Sequence, residues 1–216
     1  MAGTAVFGGS FNPIHYGHLL LADDIRERLG LERVLFVPAG TPPHKSPRGI
    51  APAADRYQMV KLATAAHPGF DVSDLELRRS GPSYTVDTLA ALQRPRAGLF
   101  LLMGSETILD LLSWRMPRRI AELARIVIIP RAGSAFDPEG AAALKVLREI
   151  GEERFVHVES GPVPAAGVLI VHALSLPISA SDLRRRVREG RSIAFRLPDV
   201  VLAHIRAAGL YRSETP

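Results

Sequence analysis

The most informative part of the sequence reads Gly8-Gly9-Ser10-Phe11-Asn12-Pro13-Ile14-His15-Tyr16-Gly17-His18. It joins a strand-like run to a helix-like run, and Gly8 and Gly9 let the backbone turn sharply and approach a ligand closely. The following helix directs its first N–H groups and the positive end of its dipole to the same place. His15 and His18 are three residues apart and share one face of the first helical turn. The pattern predicts a site for phosphate groups.

Strand-like and helix-like runs alternate along the rest of the chain, which indicates parallel β/α units. We expect strands at 4–9, 34–37, 70–77, 99–103, 126–129, 155–158 and 168–174. We expect helices at 16–29, 55–67, 83–93, 181–189 and 198–208, the second of them with Asp55 as its N-cap. This order predicts an α/β fold with a Rossmann-like, doubly wound parallel sheet. We expect one domain over residues 1–216, with a small C-terminal helical portion at about 179–212.

The composition excludes several kinds of chemistry. The 216 residues include no Cys, which rules out disulfides, thiolate metal sites and thiol catalysis. No apolar run reaches the ~20 residues that span a bilayer, and the N-terminal residues lack a signal-peptide pattern. We therefore expect a cytoplasmic protein with no membrane partner. The net charge is +5, and every basic residue except Lys45, Lys61 and Lys145 is Arg, whose planar guanidinium suits phosphate and carboxylate ligands.

The glycine-rich segment lacks the Gly-Lys-Ser/Thr ending of the P-loop and the Gly-x-Gly-x-x-Gly dinucleotide spacing. It resembles the signature of the HxGH nucleotidyltransferase superfamily, usually written Gly-Gly-(Ser/Thr)-Phe-(Asp/Asn)-Pro-x-His-x-Gly-His. Asn12, the only Asn of the chain, occupies the Asp/Asn position. The resemblance implies the nucleotidyltransferase type of fold and an ATP site on this turn. The ATP-binding residues that it implies here are Gly8, Gly9, Ser10, Phe11, His15 and His18.

A second segment, Ile178-Ser179-Ala180-Ser181-Asp182-Leu183-Arg184, resembles the C-terminal Ile-Ser-Ser-Thr-x-Ile-Arg motif of the same superfamily. Its residues predict a capped helix start, with Ser179 or Ser181 as the N-cap. Arg184 in the first turn can bind a phosphate. Ala180 stands where the motif has Ser, so one hydroxyl is missing. The resemblance adds Ile178, Ser181 and Arg184 to the ATP site, and the catalytic residues that it implies are His15, His18 and Arg184.

Several internal strings resemble those of bacterial nicotinate-nucleotide adenylyltransferases. They are Thr41-Pro42-Pro43-His44-Lys45, Arg56-Tyr57-Gln58-Met59, Gly81-Pro82-Ser83-Tyr84-Thr85-Val86-Asp87-Thr88-Leu89, and Gly104-Ser105-Glu106 with Trp114 downstream. Gly104 and Glu106 are expected at ATP, although that family usually has Asp at the position of Glu106. Arg56 is a further candidate for a phosphate contact.

Trp114 can supply an aromatic face for a pyridine ring or lie in the core. The acceptor-binding residues that the resemblance implies are Lys45, Ser83, Tyr84, Thr85 and Trp114, with Lys45 and His44 on a loop at 39–52.

The implied reaction transfers the adenylyl group of ATP to nicotinate mononucleotide and gives deamido-NAD and pyrophosphate, a step of NAD biosynthesis. Mg²⁺ is expected as the cofactor, held by ATP phosphate oxygens and water, with no residue assigned as a metal ligand. Such transfer depends on positioning and charge stabilisation, so we expect no enzyme nucleophile.

Three alternatives stay open at this stage. The acceptor can be nicotinamide mononucleotide or phosphopantetheine, although the strings at 41–45 and 81–89 argue against the latter. The cluster Arg184-Arg185-Arg186-Val187-Arg188 suits a nucleic-acid-binding protein, but the usual signatures of one are missing. We therefore expect small-molecule partners and no nucleic acid, and leave a homo-oligomer open. Of the other histidines, we expect His67 to interact with a helix C-terminus and a structural role for His157, His172 and His204.

Overall fold

The computed structural model describes residues 3–43, 49–130, 133, 134 and 136–212. Within these residues, seven strands form one sheet. They are β1 (Thr4–Gly9), β2 (Arg33–Pro38), β3 (Phe70–Val72), β4 (Leu99–Gly104), β5 (Arg125–Ile129), β6 (Phe155–His157) and β7 (Val168–Ile170). Their order across the sheet is β3-β2-β1-β4-β5-β7-β6, and neighbouring strands pair in parallel. The predicted α/β fold with a parallel sheet is confirmed.

Helices connect the strands. They are α1 (Tyr16–Arg28), α2 (Ala53–Thr64), α3 (Leu75–Arg78), α4 (Thr85–Ala91), α5 (Ser105–Leu109), α6 (Pro117–Leu123), α7 (Ala141–Ile150), α8 (Ala180–Arg188) and α9 (Asp199–Ala207). No helix was expected at α5, α6 or α7. The longest of these, α7, buries Ala143, Val146, Leu147 and Ile150, a spacing that places one apolar face on the sheet.

The strand expected at 70–77 is too long. It ends at Val72, and the Ser73 hydroxyl then accepts a hydrogen bond from the Leu75 N–H at 3.2 Å, so the chain turns into α3. A polar side chain that bonds to nearby backbone in this way competes with strand pairing.

The helix expected at 55–67 is shifted. It runs from Ala53 to Thr64, and its N-cap is Pro52, whose backbone is extended. Asp55 lies in the first turn, where a carboxylate interacts favourably with the helix dipole, and it is not the cap.

Apolar side chains of the strands alternate between the two faces of the sheet. In β4, Phe100 and Leu102 belong to the core layer that also contains Ile25, Met59 and Val201. Leu99, Leu101 and Met103, which alternate with them, belong to the layer on the other face, under α4, α6 and α7. Because helices cover both faces, the sheet is doubly wound, as predicted.

The order of the strands reverses at β1. The chain passes from β1 to β2 and β3 on one side, and then returns to β4 on the other. Such a reversal opens a crevice beyond the carboxyl ends of the two central strands, where ligands bind in open α/β sheets.

Helices α8 and α9 contribute Leu183 and Ile205 to the core layer of α1. The single domain over 1–216 stays a prediction. In the described part of the chain, no helix is both long and apolar enough to cross a membrane.

Candidate active site

The two motif histidines lie at the crevice, at the start of α1. His15 is the N-cap residue of this helix and is only 5% exposed, and His18 is its third residue. The Nδ1 atom of His18 accepts a hydrogen bond from the His15 N–H at 3.3 Å. In the neutral ring of His18 the proton therefore lies on Nε2, which can donate to an oxygen of a ligand.

Aromatic rings hold the imidazole of His18 in place. It stacks on the His15 ring, with centroids 3.8 Å apart, and Phe11 and Phe7 meet it edge-on at 5.3 and 6.0 Å. Phe11 is buried and has a φ of 42°, a left-handed conformation that costs a non-glycine residue roughly 1–3 kcal/mol. Such strain in a buried residue next to a motif histidine is typical of a functional site.

Two motif glycines make this packing possible. A Cβ built on Gly9 would lie 3.2 Å from the Phe11 ring, and one built on Gly17 would lie 3.0 Å from Nδ1 of His15. Both distances are tighter than ordinary van der Waals contacts. At Gly8, by contrast, a Cβ would meet nothing within 4 Å, so the space beside this residue is open.

Asn12 connects the glycine turn to distant parts of the chain. Its side chain is 4% exposed, donates through Nδ2 to the Gly49 carbonyl at 2.9 Å and accepts the Ala51 N–H through Oδ1 at 3.0 Å. The Tyr211 hydroxyl also donates to Oδ1, at 2.9 Å. Asn12 stood out in the sequence because it is the only Asn of the chain, but no sequence pattern indicated these hydrogen-bond partners.

Arg56 is not available for a phosphate contact, contrary to the expectation. Its side chain is 1% exposed, and its guanidinium donates to the carbonyl oxygens of Ser10 (2.8 Å), Gly40 (3.0 Å) and Ala51 (3.0 Å). Burial lowers the pKa of this guanidinium from its ordinary value. Through these three hydrogen bonds, Arg56 links Gly40 and Ala51 to Ser10 in the glycine turn.

The second motif reaches the first through Arg184. Ser179, not Ser181, is the N-cap of α8, and its hydroxyl accepts the Asp182 N–H at 3.2 Å. The Ser181 hydroxyl lies 3.3 Å from that of Ser179. From the first turns of α8, Arg184 donates through Nη1 to the Asn12 carbonyl at 2.8 Å, and burial lowers its pKa. Two segments that are 172 residues apart are thus in direct contact.

Gly104 and Glu106 follow β4, the strand beside β1. Gly104 is the N-cap residue of α5 and Glu106 is exposed in its first turn. Both residues are expected at ATP, and their position at the end of the neighbouring strand is compatible with that expectation. The neighbouring Ser105 is buried, with its hydroxyl 2.8 Å from that of Ser134.

Four of the expected acceptor residues, Ser83, Tyr84, Thr85 and Trp114, are among the described residues. Ser83 and Thr41 are joined by two hydrogen bonds, in which the Ser83 N–H donates to the Thr41 carbonyl (2.9 Å) and the Thr41 N–H to the Ser83 hydroxyl (3.1 Å). Tyr84 is the N-cap of α4 and Thr85 its first residue. Trp114 is half-buried and packs on the same core layer as Tyr84, so it is partly a core residue and partly accessible.

Lys45 and His44, expected to close over phosphates, lie outside the described residues. Of the loop expected at 39–52, the structure describes residues 39–43 and 49–52.

The other histidines have local partners. His67 lies 3.1 Å from Asp23 and stacks on Phe70, so it does not simply cap a helix end. His204 lies 3.0 Å from Asp55 and joins α9 to α2. The rings of His157 and His172 stack with centroids 5.8 Å apart.

In the described ranges, no group of three or more His, Asp or Glu side chains could hold a metal ion.

Comparison with known proteins agrees with this geometry. Residues 6–186 match the cytidylyltransferase-like family. The chain is 43% identical to a protein of Thermomicrobium roseum named probable nicotinate-nucleotide adenylyltransferase, over 99% of this chain and 93% of that one. A protein of the same name from Thermus thermophilus is 41% identical over 96% of this chain and 98% of its own.

A solved structure shares the fold at lower identity. It is the Plasmodium falciparum nicotinic acid mononucleotide adenylyltransferase complexed with NaAD, which is 20% identical and has a TM-score of 0.71 over 98% of both chains. The family match, the full-length relatives and the common fold lead to one assignment. The chain belongs to the cytidylyltransferase-like family and, within it, to the nicotinate-nucleotide adenylyltransferases.

Proposed function

We propose that this enzyme transfers the adenylyl group of ATP to nicotinate mononucleotide. An oxygen of the acceptor's 5′-phosphate attacks the α-phosphorus of ATP, the bond from the α-phosphorus to the oxygen bridging to the β-phosphate breaks, and pyrophosphate leaves. The products are deamido-NAD and pyrophosphate, a step of NAD biosynthesis. The contact between Arg184 and the Asn12 carbonyl is the structural observation that carries the proposal, because it unites the two phosphate-binding motifs at the crevice.

The residues around the crevice have distinct proposed roles in binding ATP. The Nε2 of His18 donates to the phosphate on which charge develops, and His15, the second expected phosphate contact, stacks its ring against that of His18. Arg184 and the N–H groups at the start of α8 hold the β- and γ-phosphates. Backbone near Gly8 approaches the nucleotide, because the space beside this residue is open. The remaining proposed ATP contacts are Gly9, Ser10, Phe11, Gly104, Glu106, Ile178 and Ser181.

The acceptor lies on the other side of the crevice in this proposal. The exposed part of Trp114 offers an aromatic face to the pyridine ring. The turn Ser83-Tyr84-Thr85 offers hydrogen-bond donors to the ring carboxylate, and Lys45 reaches a phosphate. The Ser83 and Thr41 hydrogen bonds support this arrangement, since they attach the turn to the loop that carries Lys45.

Mg²⁺ enters with ATP in this proposal. It prefers oxygen ligands and keeps several waters, so phosphate oxygens and water can complete its coordination. The donors at the start of α1 and α8 are imidazole, guanidinium and backbone N–H groups, which suit the phosphates better than the metal. The metal supplies charge neutralisation, and the protein supplies the position of the phosphates.

Pyrophosphate release tests the proposal. The purified protein is mixed with MgATP and either nicotinate mononucleotide or nicotinamide mononucleotide. We expect turnover with the acid and much less with the amide. Preferential use of the amide would contradict the acceptor assignment. Salt-sensitive binding to duplex DNA without turnover of either mononucleotide would contradict the reaction itself.

A further inference from the structure

Several hydrogen bonds meet at the buried residue Asn12, and Tyr211 donates one of them. Tyr211 follows α9 in a left-handed conformation, with a φ of 63°. Its hydroxyl donates to Oδ1 of Asn12 at 2.9 Å, across 199 residues of sequence. No role was expected of this residue from the sequence, and the proposed reaction does not yet use it.

The hydrogen bonds of Asn12 fix the orientation of its amide. Oδ1 accepts from both the Tyr211 hydroxyl and the Ala51 N–H, whereas Nδ2 donates to the Gly49 carbonyl. A rotation of the amide by half a turn would place its N–H groups against the Ala51 N–H and its oxygen against the Gly49 carbonyl. In the observed orientation the Tyr211 hydroxyl gives Oδ1 a second hydrogen bond, and this bond helps to hold Asn12 in place.

The Asn12 backbone in turn holds Arg184. The Asn12 carbonyl accepts from Nη1 of Arg184 at 2.8 Å, so a displaced carbonyl would displace the guanidinium. Burial raises the pKa of the Tyr211 phenol, although the nearby guanidinium groups of Arg184 and Arg56 act to lower it. The hydroxyl therefore keeps its proton, and can donate it in a hydrogen bond, at neutral pH. The hydrogen bonds of Asn12 join three segments that the reaction needs: the glycine turn, the start of α8 and the end of the 40–51 loop.

We propose that Tyr211 is a positioning residue for adenylyl transfer, which acts through Asn12 to hold Arg184 in the orientation that binds the phosphates. This inference rests on the proposed function. Tyr211 does not touch the substrates. Its hydroxyl keeps the Arg184 guanidinium and the backbone at Gly49 and Ala51 in one fixed arrangement, and a small displacement of such groups slows a reaction that depends on alignment.

The variant Tyr211→Phe tests this role, because it removes the hydroxyl and keeps the ring. We expect kcat/KM for ATP to fall about tenfold, a typical scale for lost alignment, at a temperature where circular dichroism shows a folded protein. Tyr57→Phe is the matched control, because the Tyr57 hydroxyl has no hydrogen bond within the described residues. We expect it to stay within about twofold of wild type, which corresponds to a negligible change in free energy.

A double-mutant cycle separates positioning from general stability. If Tyr211 acts through Arg184, Tyr211→Phe should change kcat/KM less than about twofold in an Arg184→Ala background, since coupled residues are not additive. The same tenfold loss in both backgrounds, or no loss in the single variant, would overturn the inference. Wild-type protein that releases no pyrophosphate would instead refute the proposed function.

Variants of Asn12 provide a second test if Tyr211→Phe does not fold. Asn12→Asp keeps an oxygen that accepts from the Tyr211 hydroxyl and the Ala51 N–H, so we expect most activity to remain. Asn12→Leu has a similar size and no acceptor, and we expect activity to fall at least about tenfold. Equal activity of Asn12→Leu and wild type would overturn the inference.

Discussion

The imidazole rings of His15 and His18 stack face to face, with their centroids 3.8 Å apart, while Nδ1 of His18 accepts the backbone N–H of His15. The two histidines are therefore not equivalent. His15 is buried and supports its neighbour, whereas His18 is half-buried and can direct Nε2 toward a ligand. A donor that is fixed before the reaction costs little reorganisation when charge develops, which is the basis of electrostatic catalysis.

Replacement of His18 by Ala should lower kcat by about 10²-fold or more, the scale for the loss of one preorganised donor. Pyrophosphate release under saturating MgATP measures the effect. His172→Ala serves as the control, because His172 is exposed and its ring stacks on that of His157, not on either motif histidine. A His18→Ala rate close to that of wild type would refute the assigned role.

Gly17→Ala should reduce activity without reducing stability. The new Cβ would lie 3.0 Å from Nδ1 of His15 and would push the stacked rings apart, so we expect kcat/KM to fall about tenfold. Ala favours a helix over Gly by up to about 1 kcal/mol, which offsets the local crowding in the free energy of unfolding.

Gly98→Ala is the matched control for Gly17→Ala. A Cβ on Gly98 meets nothing within 4 Å, and this residue lies before β4, at the opposite end of the strand from the crevice. We expect wild-type kinetics. If both substitutions left the kinetics unchanged, the close approach at Gly17 would have no functional consequence.

Arg56→Lys should destabilise the fold. Lys lacks the planar fork that reaches the carbonyls of Ser10, Gly40 and Ala51 together, and it would leave buried groups without partners. We expect the free energy of unfolding to fall by about 2–4 kcal/mol, measured by urea denaturation. Arg78→Lys, at an exposed ion pair with Asp74, should change it by less than about 0.5 kcal/mol. Similar losses in the two variants would contradict the fastening role of Arg56.

Stability should decline at alkaline pH through Tyr211. Burial raises the pKa of its phenol above the ordinary tyrosine value of about 10. Below that pH the phenol is protonated in both states and contributes no pH dependence. Above it, the unfolded chain loses the proton and the folded chain retains it, so the free energy of unfolding falls as the pH rises. Urea denaturation between about pH 9 and pH 11, on either side of the ordinary tyrosine pKa, should show a steeper decline in wild type than in Tyr211→Phe, and identical slopes would disprove this origin.

Much of the fold could be predicted because its signals are local. The apolar runs of β1, β2, β4 and β5 are continuous, as expected of strands that are buried on both sides, and Gly or Pro ends them. The short helices α5 and α6 escaped prediction, since five to seven residues give too few turns to show a periodicity. At 70–77, the strand ends at Val72, and the Ser73 hydroxyl accepts the Leu75 N–H where the chain turns into α3.

The site was predictable as a pair of motifs, but its connections were not. The segments around His18 and Arg184 contain recognisable residue patterns, and the structure places them together. Arg56 was a candidate for phosphate binding because the sequence shows its charge. The sequence does not show that its side chain is buried. Tyr211 carried no signal at all, because a hydrogen bond across 199 residues leaves no trace in local spacing.

The Asn12 contacts also determine when the glycine turn can be completed during synthesis of the chain. The glycine turn leaves the ribosome early, but Arg184 and Tyr211 are added only after most of the chain has been made. Contacts of such long range form late in folding, since the intervening chain must first be ordered. A nascent chain that has emerged only through its first five strands thus contains the glycine turn but neither Arg184 nor Tyr211, and the contacts of Asn12 with these two residues can form only when nearly the whole chain has been made.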